Sequence, residues 1–287
     1  MTLAIENLSV ATSGGKVLLD DCSWSVQTGG RLGIIGESGS GKSLTAQAIL
    51  GLLPEGMTAT GSVQLNGVEL LGAKEKHLRK VRGAQIAMIF QEPLTALDPL
   101  MKVGRQIAGP LKLHKGLSRH DAVARAVELC HQVALTDTER ILNSYPWQLS
   151  GGQRQRVSIA MALACSPDVL IADEPTTALD VTVQAEILAL LNDLIEQTGT
   201  TLVFVSHDLP VVAHVAEGLV VMQHGKVVEA TTVTRALTGP NEPYTQHLLD
   251  AARRVTALPA GTVTGRSATS RRSADDIAAT APNPAKD

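Results

Sequence analysis

One short stretch of the chain has the glycine-rich spacing of a loop that could bind phosphate. It matches the pattern G-x-x-x-x-G-K-[ST] and consists of Gly36, Glu37, Ser38, Gly39, Ser40, Gly41, Lys42 and Ser43. Glycines let backbone N–H groups converge on phosphate oxygens, and the N-terminus of the helix that follows adds the positive end of its dipole. In such a loop the lysine reaches the outer phosphates and the serine is a ligand of Mg²⁺. The spacing therefore predicts a site for a nucleoside triphosphate with Mg²⁺.

Two adjacent carboxylates could act on the same triphosphate. Asp173 and Glu174 directly follow the apolar run 169–172, which has the composition of a buried strand. At the C-terminal end of a parallel strand, side chains project into the ligand crevice. We expect Asp173 to hold the Mg²⁺ shell and Glu174 to orient and deprotonate the attacking water. Taken alone, an acidic pair closing a strand is also typical of a solvated turn.

A second glycine-rich stretch opens a later helix. Ser150 and Gln153 have the spacing of a capping box, and Gly151 and Gly152 lie between them. Two adjacent glycines are poor helix formers, which favours a position where a ligand approaches the backbone closely. Because a helix N-terminus without large side chains attracts anions, these four residues are a second candidate contact for phosphate.

The elements that must position these residues follow from the apolar pattern. Short apolar runs bounded by Gly, Asp or Pro predict strands, at residues 3–10, 16–26, 31–35, 62–65, 85–90, 169–172, 201–205 and 219–222. Helical patterns predict helices, at residues 44–52, at 121–133 after a Ser118 cap and at 181–197 before a stop at Gly199. Alternating strands and helices predict an α/β fold with a parallel sheet covered on both faces. The first three runs and residues 61–67 lack intervening helices, so we expect them in a small antiparallel sheet. From about residue 93 to 145 the pattern is helical only.

Composition excludes several classes of protein. The 287-residue chain has a net charge of −3, which gives no general basic field and makes nucleic acid an unexpected partner. The cysteines Cys22, Cys130 and Cys165 have neither zinc nor disulfide spacing, so we expect them reduced and buried in a cytosolic protein. Neither a signal peptide nor a membrane-spanning stretch is expected. Beyond about residue 256 the composition predicts a disordered tail.

Leu149 and the residues 150–153, together with the two phosphate-site motifs, resemble the ATP-binding subunit of ABC transporters. The resemblance implies a P-loop NTPase (ABC ATPase) core with a flanking antiparallel β subdomain and an inserted all-helical subdomain of about 93–165. It implies one ABC ATPase domain over 1–255, which is followed by the tail over 256–287 that composition predicts. It also assigns roles: Gln91 senses Mg²⁺ and the permease, residues 178–180 with Asp180 form the D-loop, and His207 contacts the γ-phosphate of ATP.

The resemblance also implies an assembly. Two such chains pack head to tail, as a homodimer or as a heterodimer with a sister subunit, so that the Ser150 and Gly152 region of one completes the ATP site at Lys42 of the other. Two integral-membrane permease subunits, an extracytoplasmic solute-binding protein and a place on the cytoplasmic face of the membrane are expected, and no nucleic acid. One departure concerns adenine, because residues 11–15 offer no aromatic side chain to stack on the base.

Three further segments are similar to the branch of oligopeptide, dipeptide and nickel importers. They are residues 91–99, 145–148 and 240–249. Members with an iron–sulfur centre carry a cysteine cluster near the C-terminus, and this sequence has no cysteine after Cys165. Its eight histidines are scattered without ligand spacing. The short C-terminal region and the missing adenine-stacking aromatic resemble the nickel or metallophore subunits more than the longer peptide subunits, and peptides and nickel or metal chelates both remain open as cargo. The alternatives are a soluble ABC ATPase that acts on nucleic acid or the ribosome, and an exporter subunit.

Overall fold

The structure is a computed structural model that describes residues 2–92, 96–177 and 179–256. Ten strands are present in these parts: β1 Leu3–Thr12, β2 Val17–Val26, β3 Arg31–Ile35, β4 Met57–Leu65, β5 Val68–Glu69, β6 Ile86–Ile89, β7 Val169–Asp173, β8 Thr201–Ser206, β9 Gly218–Gln223 and β10 Lys226–Thr232. The helices of these parts are α1 Lys42–Leu50, α2 Glu75–Val81, α3 Val103–Lys115, α4 Arg119–Gln132, α5 Thr138–Asn143, α6 Gly151–Leu163, α7 Val181–Thr198, α8 Leu209–Val215, α9 Val233–Thr238 and α10 Pro243–Thr256. A short 3-10 helix spans Pro146–Gln148. The predicted α/β class is confirmed.

The chain forms two compact units, and the second is a single segment. Of the described residues, 2–73 and 203–256 form the first unit, and those within Lys74–Leu202 form the second. The helices α3 to α6 belong to the second unit. The inserted subdomain of about 93–165 and the domain 1–255 stay predictions. Parts of three predictions lie outside the described residues: the start of that subdomain at Pro93, Ala178 of the D-loop, and the tail from residue 257.

An antiparallel sheet in the first unit has the strand order β2-β1-β4-β5. Burial alternates along each half of β1, with Leu3 and Ile5 buried before a register shift and Leu8 and Val10 buried after it. Period-two alternation is typical of an antiparallel sheet with one covered face. Ile5 pairs with Trp24 of β2 on one side and with Val63 of β4 on the other.

The prediction that residues 31–35 join this antiparallel sheet is wrong. β3 instead pairs in parallel with β9, with Ile34 opposite Val220, and the order around it is β10-β9-β3-β8. The reason is visible in burial, because the consecutive residues 32–35 are all buried rather than alternating. A strand that is apolar on both faces needs cover on both, as in parallel sheets. β10, an antiparallel edge strand next to β9, was not among the predicted strands.

In the second unit, β6 and β7 pair in parallel, with Met88 opposite Ile171. The helices predicted at 44–52, 121–133 and 181–197 are α1, α4 and α7, and each end lies within two residues of its predicted position, whereas α2, α8, α9 and α10 were not predicted. Ser118 caps α4 by accepting a hydrogen bond from the backbone N–H of Asp121. Helix α7 ends at Gly199 in the left-handed conformation, as the stop signal predicted. Local sequence signals therefore fix both helix ends.

Candidate active site

The predicted phosphate loop lies between β3 and α1 in the first unit, and its glycines allow close packing. A Cβ atom on Gly36 would collide with the carbonyl oxygen of Met222. A Cβ atom on Gly41, which has φ 103°, would collide with the side chain of Leu19. Larger residues at these two positions would push the loop away from β9 and β2. The glycines are therefore needed for the shape of the loop.

Lys42 lies inside this loop and is only 5% exposed. Its ammonium group donates hydrogen bonds to the carbonyl oxygen of Gly36 at 2.8 Å and to that of Glu37 at 3.0 Å. The hydroxyl of Ser40 is buried and has no hydrogen-bond partner among the described residues. A buried hydroxyl without a partner is costly, and a phosphate oxygen would satisfy it. The loop therefore fits a phosphate group.

Two contacts of the loop were missed by the sequence analysis. The Glu37 N–H donates to the hydroxyl of Tyr244 at 3.2 Å, and the Gly225 N–H donates to the Ser40 carbonyl oxygen at 3.1 Å. The glycine in the turn after 219–222 is a signal for the β9–β10 hairpin. Nothing in the sequence points from Tyr244 to Glu37, because 207 positions separate them.

His207 directly follows β8 in the first unit, and its side chain is exposed. The next residue turns the chain: the Asp208 N–H donates to the Ser206 hydroxyl at 3.0 Å, and α8 begins at Leu209. His207 thus lies in the turn between a buried strand and a helix. The strand that precedes it was predicted at 201–205.

The acidic pair lies at the end of β7 in the second unit. Asp173 is the last residue of the strand and is only 4% exposed. Glu174 has a φ of 44°, which is uncommon for a residue other than glycine. Its Oε2 accepts hydrogen bonds from Gln91 Nε2 at 3.2 Å and from the Thr177 hydroxyl at 2.9 Å. The structure thus brings together Gln91 and Glu174, and it adds Thr177, which the sequence analysis did not single out.

The residues proposed for Mg²⁺ offer the right type of donor. Ser43 in the first unit, and Gln91 and Asp173 in the second, all carry oxygen atoms, which Mg²⁺ prefers. Among the described residues no group of three or more His, Cys, Asp or Glu side chains could hold a metal ion. Mg²⁺ does not require one, because it is usually bound by one or two carboxylates together with substrate phosphates and water. Each of these residues therefore offers a donor of the type that suits Mg²⁺.

The capping box at the start of α6 is confirmed. The Gln153 N–H donates to the Ser150 hydroxyl at 3.2 Å, and the Ser150 N–H donates to Gln153 Oε1 at 3.1 Å. A Cβ atom on Gly152 would lie 2.9 Å from Val183 Cγ1, whereas one on Gly151 would lie 3.4 Å from Leu179 Cδ2. Close packing of α6 on α7 is therefore one reason for Gly152.

Asp180 caps α7. Its Oδ1 accepts a hydrogen bond from the Val183 N–H at 3.0 Å, and its side chain is exposed. This contact gives Asp180 a structural role beside the nucleotide role that the resemblance implies.

The three cysteines are free and buried, as predicted. Burial raises the pKa of the Cys22 and Cys130 thiols to about 11, and it also raises that of Cys165.

No helix in the described parts has the length and apolar character needed to span a membrane.

Comparisons with known proteins agree on one family. The sequence model described as "ABC transporter" matches residues 19–177. The chain is 50% identical over 234 residues to the probable peptide ABC transporter ATP-binding protein y4tR of Sinorhizobium fredii, covering 81% of this chain and 70% of that protein. It is 46% identical over 258 residues to the dipeptide transport ATP-binding protein DppD of Lactococcus lactis subsp. cremoris, covering 86% and 72%. A dimeric post-hydrolysis structure of the ATP-binding cassette MJ0796 with ADP and Pi superposes with a TM-score of 0.71 at 31% identity, covering 80% of this chain and 98% of that one.

Proposed function

Because the chain belongs to the ABC transporter family, we propose that it powers an importer whose cargo is peptides. Its relatives are ATP-binding subunits of transporters, and the reaction that this chain catalyses is ATP hydrolysis. The relatives named for peptides, dipeptides and oligopeptides support the peptide cargo over nickel or a metal chelate. They also disfavour a soluble ATPase that acts on nucleic acid or the ribosome, and an exporter.

In this proposal the phosphate loop of the first unit, residues 36–43, binds the triphosphate of ATP. Backbone N–H groups of residues 36–43 donate to phosphate oxygens, and the Ser40 hydroxyl gains the partner that it lacks among the described residues. Lys42 moves its ammonium group from the Gly36 and Glu37 carbonyl oxygens to the outer phosphates. His207 contacts the γ-phosphate.

The second unit supplies the groups that act on metal and water. Ser43, Gln91 and Asp173 are the residues that would hold Mg²⁺, and the ion would neutralise developing charge on the phosphates. Glu174 orients the attacking water and takes its proton. The contacts of Glu174 carry this assignment, because two donors on the same Oε2 fix the orientation of the carboxylate. A fixed base loses less free energy on reaching the reactive geometry.

We further propose that the protein works as a pair on the cytoplasmic face of a membrane. Residues 150–153 and Asp180 of one cassette complete the ATP site of a second cassette, which is an identical chain or a sister subunit. Two permease subunits hold the pair at the membrane, and an extracytoplasmic binding protein delivers the cargo. The proposed assembly includes no nucleic acid, in accord with the net charge of −3.

The test of the catalytic assignment is Glu174→Gln. We expect phosphate release to fall by about 10²- to 10⁴-fold, the usual contribution of a general base, while binding of ATP is retained. The matched control is Glu139→Gln, an exposed glutamate of α5 in the same unit, which should hydrolyse ATP at the wild-type rate. Unchanged hydrolysis in Glu174→Gln would remove this residue from its role.

The test of the cargo uses the protein with its permease in vesicles. We expect ATP-dependent uptake of a labelled peptide, delivered by the cognate binding protein, and no uptake of nickel. Uptake of nickel alone would replace the peptide by the metal as cargo. Copurification with ribosomes or DNA, and not with a permease, would contradict the importer.

A further inference from the structure

Tyr244 joins the C-terminal helix to the phosphate loop. It lies in the first turn of α10, within the segment 240–249 whose sequence is similar to the peptide and nickel importers. Its hydroxyl accepts a hydrogen bond from the backbone N–H of Glu37 at 3.2 Å. Both residues belong to the first unit. A residue near the end of the described chain thus contacts the loop proposed to bind ATP.

The peptide groups on both sides of Glu37 are held by hydrogen bonds. The Glu37 carbonyl oxygen accepts from the Lys42 ammonium group at 3.0 Å and from the Ser40 N–H at 3.1 Å. In the proposed function Lys42 leaves that carbonyl oxygen when it turns to the phosphates of ATP. The bond from the Glu37 N–H to Tyr244 does not involve Lys42, so it can persist through that change. Tyr244 can therefore hold the start of the loop while its other end rearranges.

The segment before Tyr244 is itself fixed. The Asn241 N–H donates to Oε1 of the buried Glu229 on β10 at 3.1 Å, and Arg235 Nη2 donates to Asn241 Oδ1 at 2.8 Å. Burial raises the pKa of the Tyr244 hydroxyl, so the group stays neutral at physiological pH. A neutral hydroxyl on an anchored segment is a stable acceptor for a loop amide.

We propose, on the basis of the proposed function, that Tyr244 is a positioning residue for ATP binding. Its hydroxyl holds the Glu37 amide so that the start of the phosphate loop is already in place before ATP arrives. Ordering a loop on binding reduces affinity, and a loop that is already ordered avoids this loss. The C-terminal segment is then part of the nucleotide site, although it lies far from the phosphate loop in the sequence.

The test compares Tyr244→Phe with Thr245→Val. The first removes only the hydroxyl that contacts Glu37. The second removes a hydroxyl from the next residue of the same helix, which is fully buried and has no hydrogen-bond partner among the described residues. We expect Tyr244→Phe to weaken the binding of AMP-PNP with Mg²⁺, measured by calorimetry, by about three- to tenfold, the effect of one neutral hydrogen bond. Its KM for ATP should rise in parallel with kcat nearly unchanged, and its Glu37 amide should exchange hydrogen faster. Thr245→Val should bind AMP-PNP as the wild type does.

Wild-type affinity in Tyr244→Phe would overturn the positioning role, whatever its amide exchange. An equal loss in both variants would also overturn it, because the effect would then come from the packing of α10. These results differ from a failure of the proposed function. If the wild type itself bound no AMP-PNP, nucleotide binding would be contradicted together with the role of Tyr244. If it bound AMP-PNP but released no phosphate, only hydrolysis would be contradicted.

Discussion

The side-chain amide of Gln91 donates a hydrogen bond to Oε2 of Glu174 across 3.2 Å, although 83 positions separate the two residues. Gln91 follows β6 and Glu174 follows β7, and these strands are parallel neighbours. The carboxyl ends of parallel strands meet at one edge of a sheet, which is where such folds bind ligands. The hydroxyl of Thr177 reaches the same oxygen at 2.9 Å. The proposed base is therefore oriented by two independent donors.

Removing these two donors should slow hydrolysis. We expect Gln91→Ala and Thr177→Val each to lower kcat by about three- to tenfold, because each removes one hydrogen bond to the carboxylate of Glu174. The double variant should lose more than either single one. Phosphate release at saturating ATP is the measurement, and Gln132→Ala, at the exposed end of α4, is the control. A double variant with the wild-type kcat would show that Glu174 does not depend on them.

Lys42 should control nucleotide affinity. Lys42→Met keeps the length of the side chain but removes the ammonium group, so the charged hydrogen bonds to the outer phosphates are lost. A charged hydrogen bond contributes about 1.5–3 kcal/mol, and we expect AMP-PNP to bind at least about tenfold more weakly. Equilibrium titration measures this, with Lys112→Met on an exposed position of α3 as the control. Equal affinity in the two variants would contradict the phosphate role of Lys42.

A glycine at position 152 could be required by the packing of α6 on α7 or by the approach of a phosphate to the helix N-terminus, and two variants separate these causes. Gly152→Ala should lower Tm, because the new Cβ would crowd Val183 Cγ1 at 2.9 Å. Adding Val183→Ala should relieve this contact and restore Tm. We expect Gly152→Ala to lower ATP hydrolysis as well, because the new methyl group covers the helix N-terminus. Since the double variant keeps this methyl group, its hydrolysis should remain low. Thermal unfolding and phosphate release are the measurements. Recovery of hydrolysis together with Tm would show that packing alone requires this glycine.

The thiols should be inert in the folded protein. Burial raises the pKa of Cys22 and Cys130 from 9.0 to about 11, so almost no thiolate is present near neutral pH. We expect a maleimide to label neither thiol until urea is added. Cys22 lies in the first unit and Cys130 in the second, so mass spectrometry of labelled peptides would show whether the units unfold together. Rapid labelling of the native protein would contradict the burial of these residues.

The same shift has a consequence for stability at high pH. The unfolded chain releases a thiol proton near pH 9.0, whereas the folded chain holds it to about 11. The stability that these buried thiols contribute is therefore fully present below pH 9.0 and is lost as the pH rises through about 11. Cys22→Ala should show a shallower alkaline loss in the free energy of unfolding than the wild type. Urea denaturation at several alkaline pH values measures the difference.

Sequence alone determined the features that depend on near neighbours. The strand before the phosphate loop, the Ser118 cap, the capping box of Ser150 and Gln153, and the stop at Gly199 are all present as predicted. Each is set within a few residues, by hydrogen bonds of one helical turn or by the freedom of one glycine, so a short window of sequence contains its cause.

Tertiary structure alone decided what pairs across the chain. It placed β3 beside β9, and it joined Glu37 to Tyr244 and Glu174 to Gln91. A strand's apolar pattern shows that it is buried but does not name its neighbour. A hydroxyl or amide side chain has no local feature that identifies a partner distant in sequence. These contacts exist because packing of the sheets and helices brings remote segments within hydrogen-bond distance, which no short stretch of the sequence encodes.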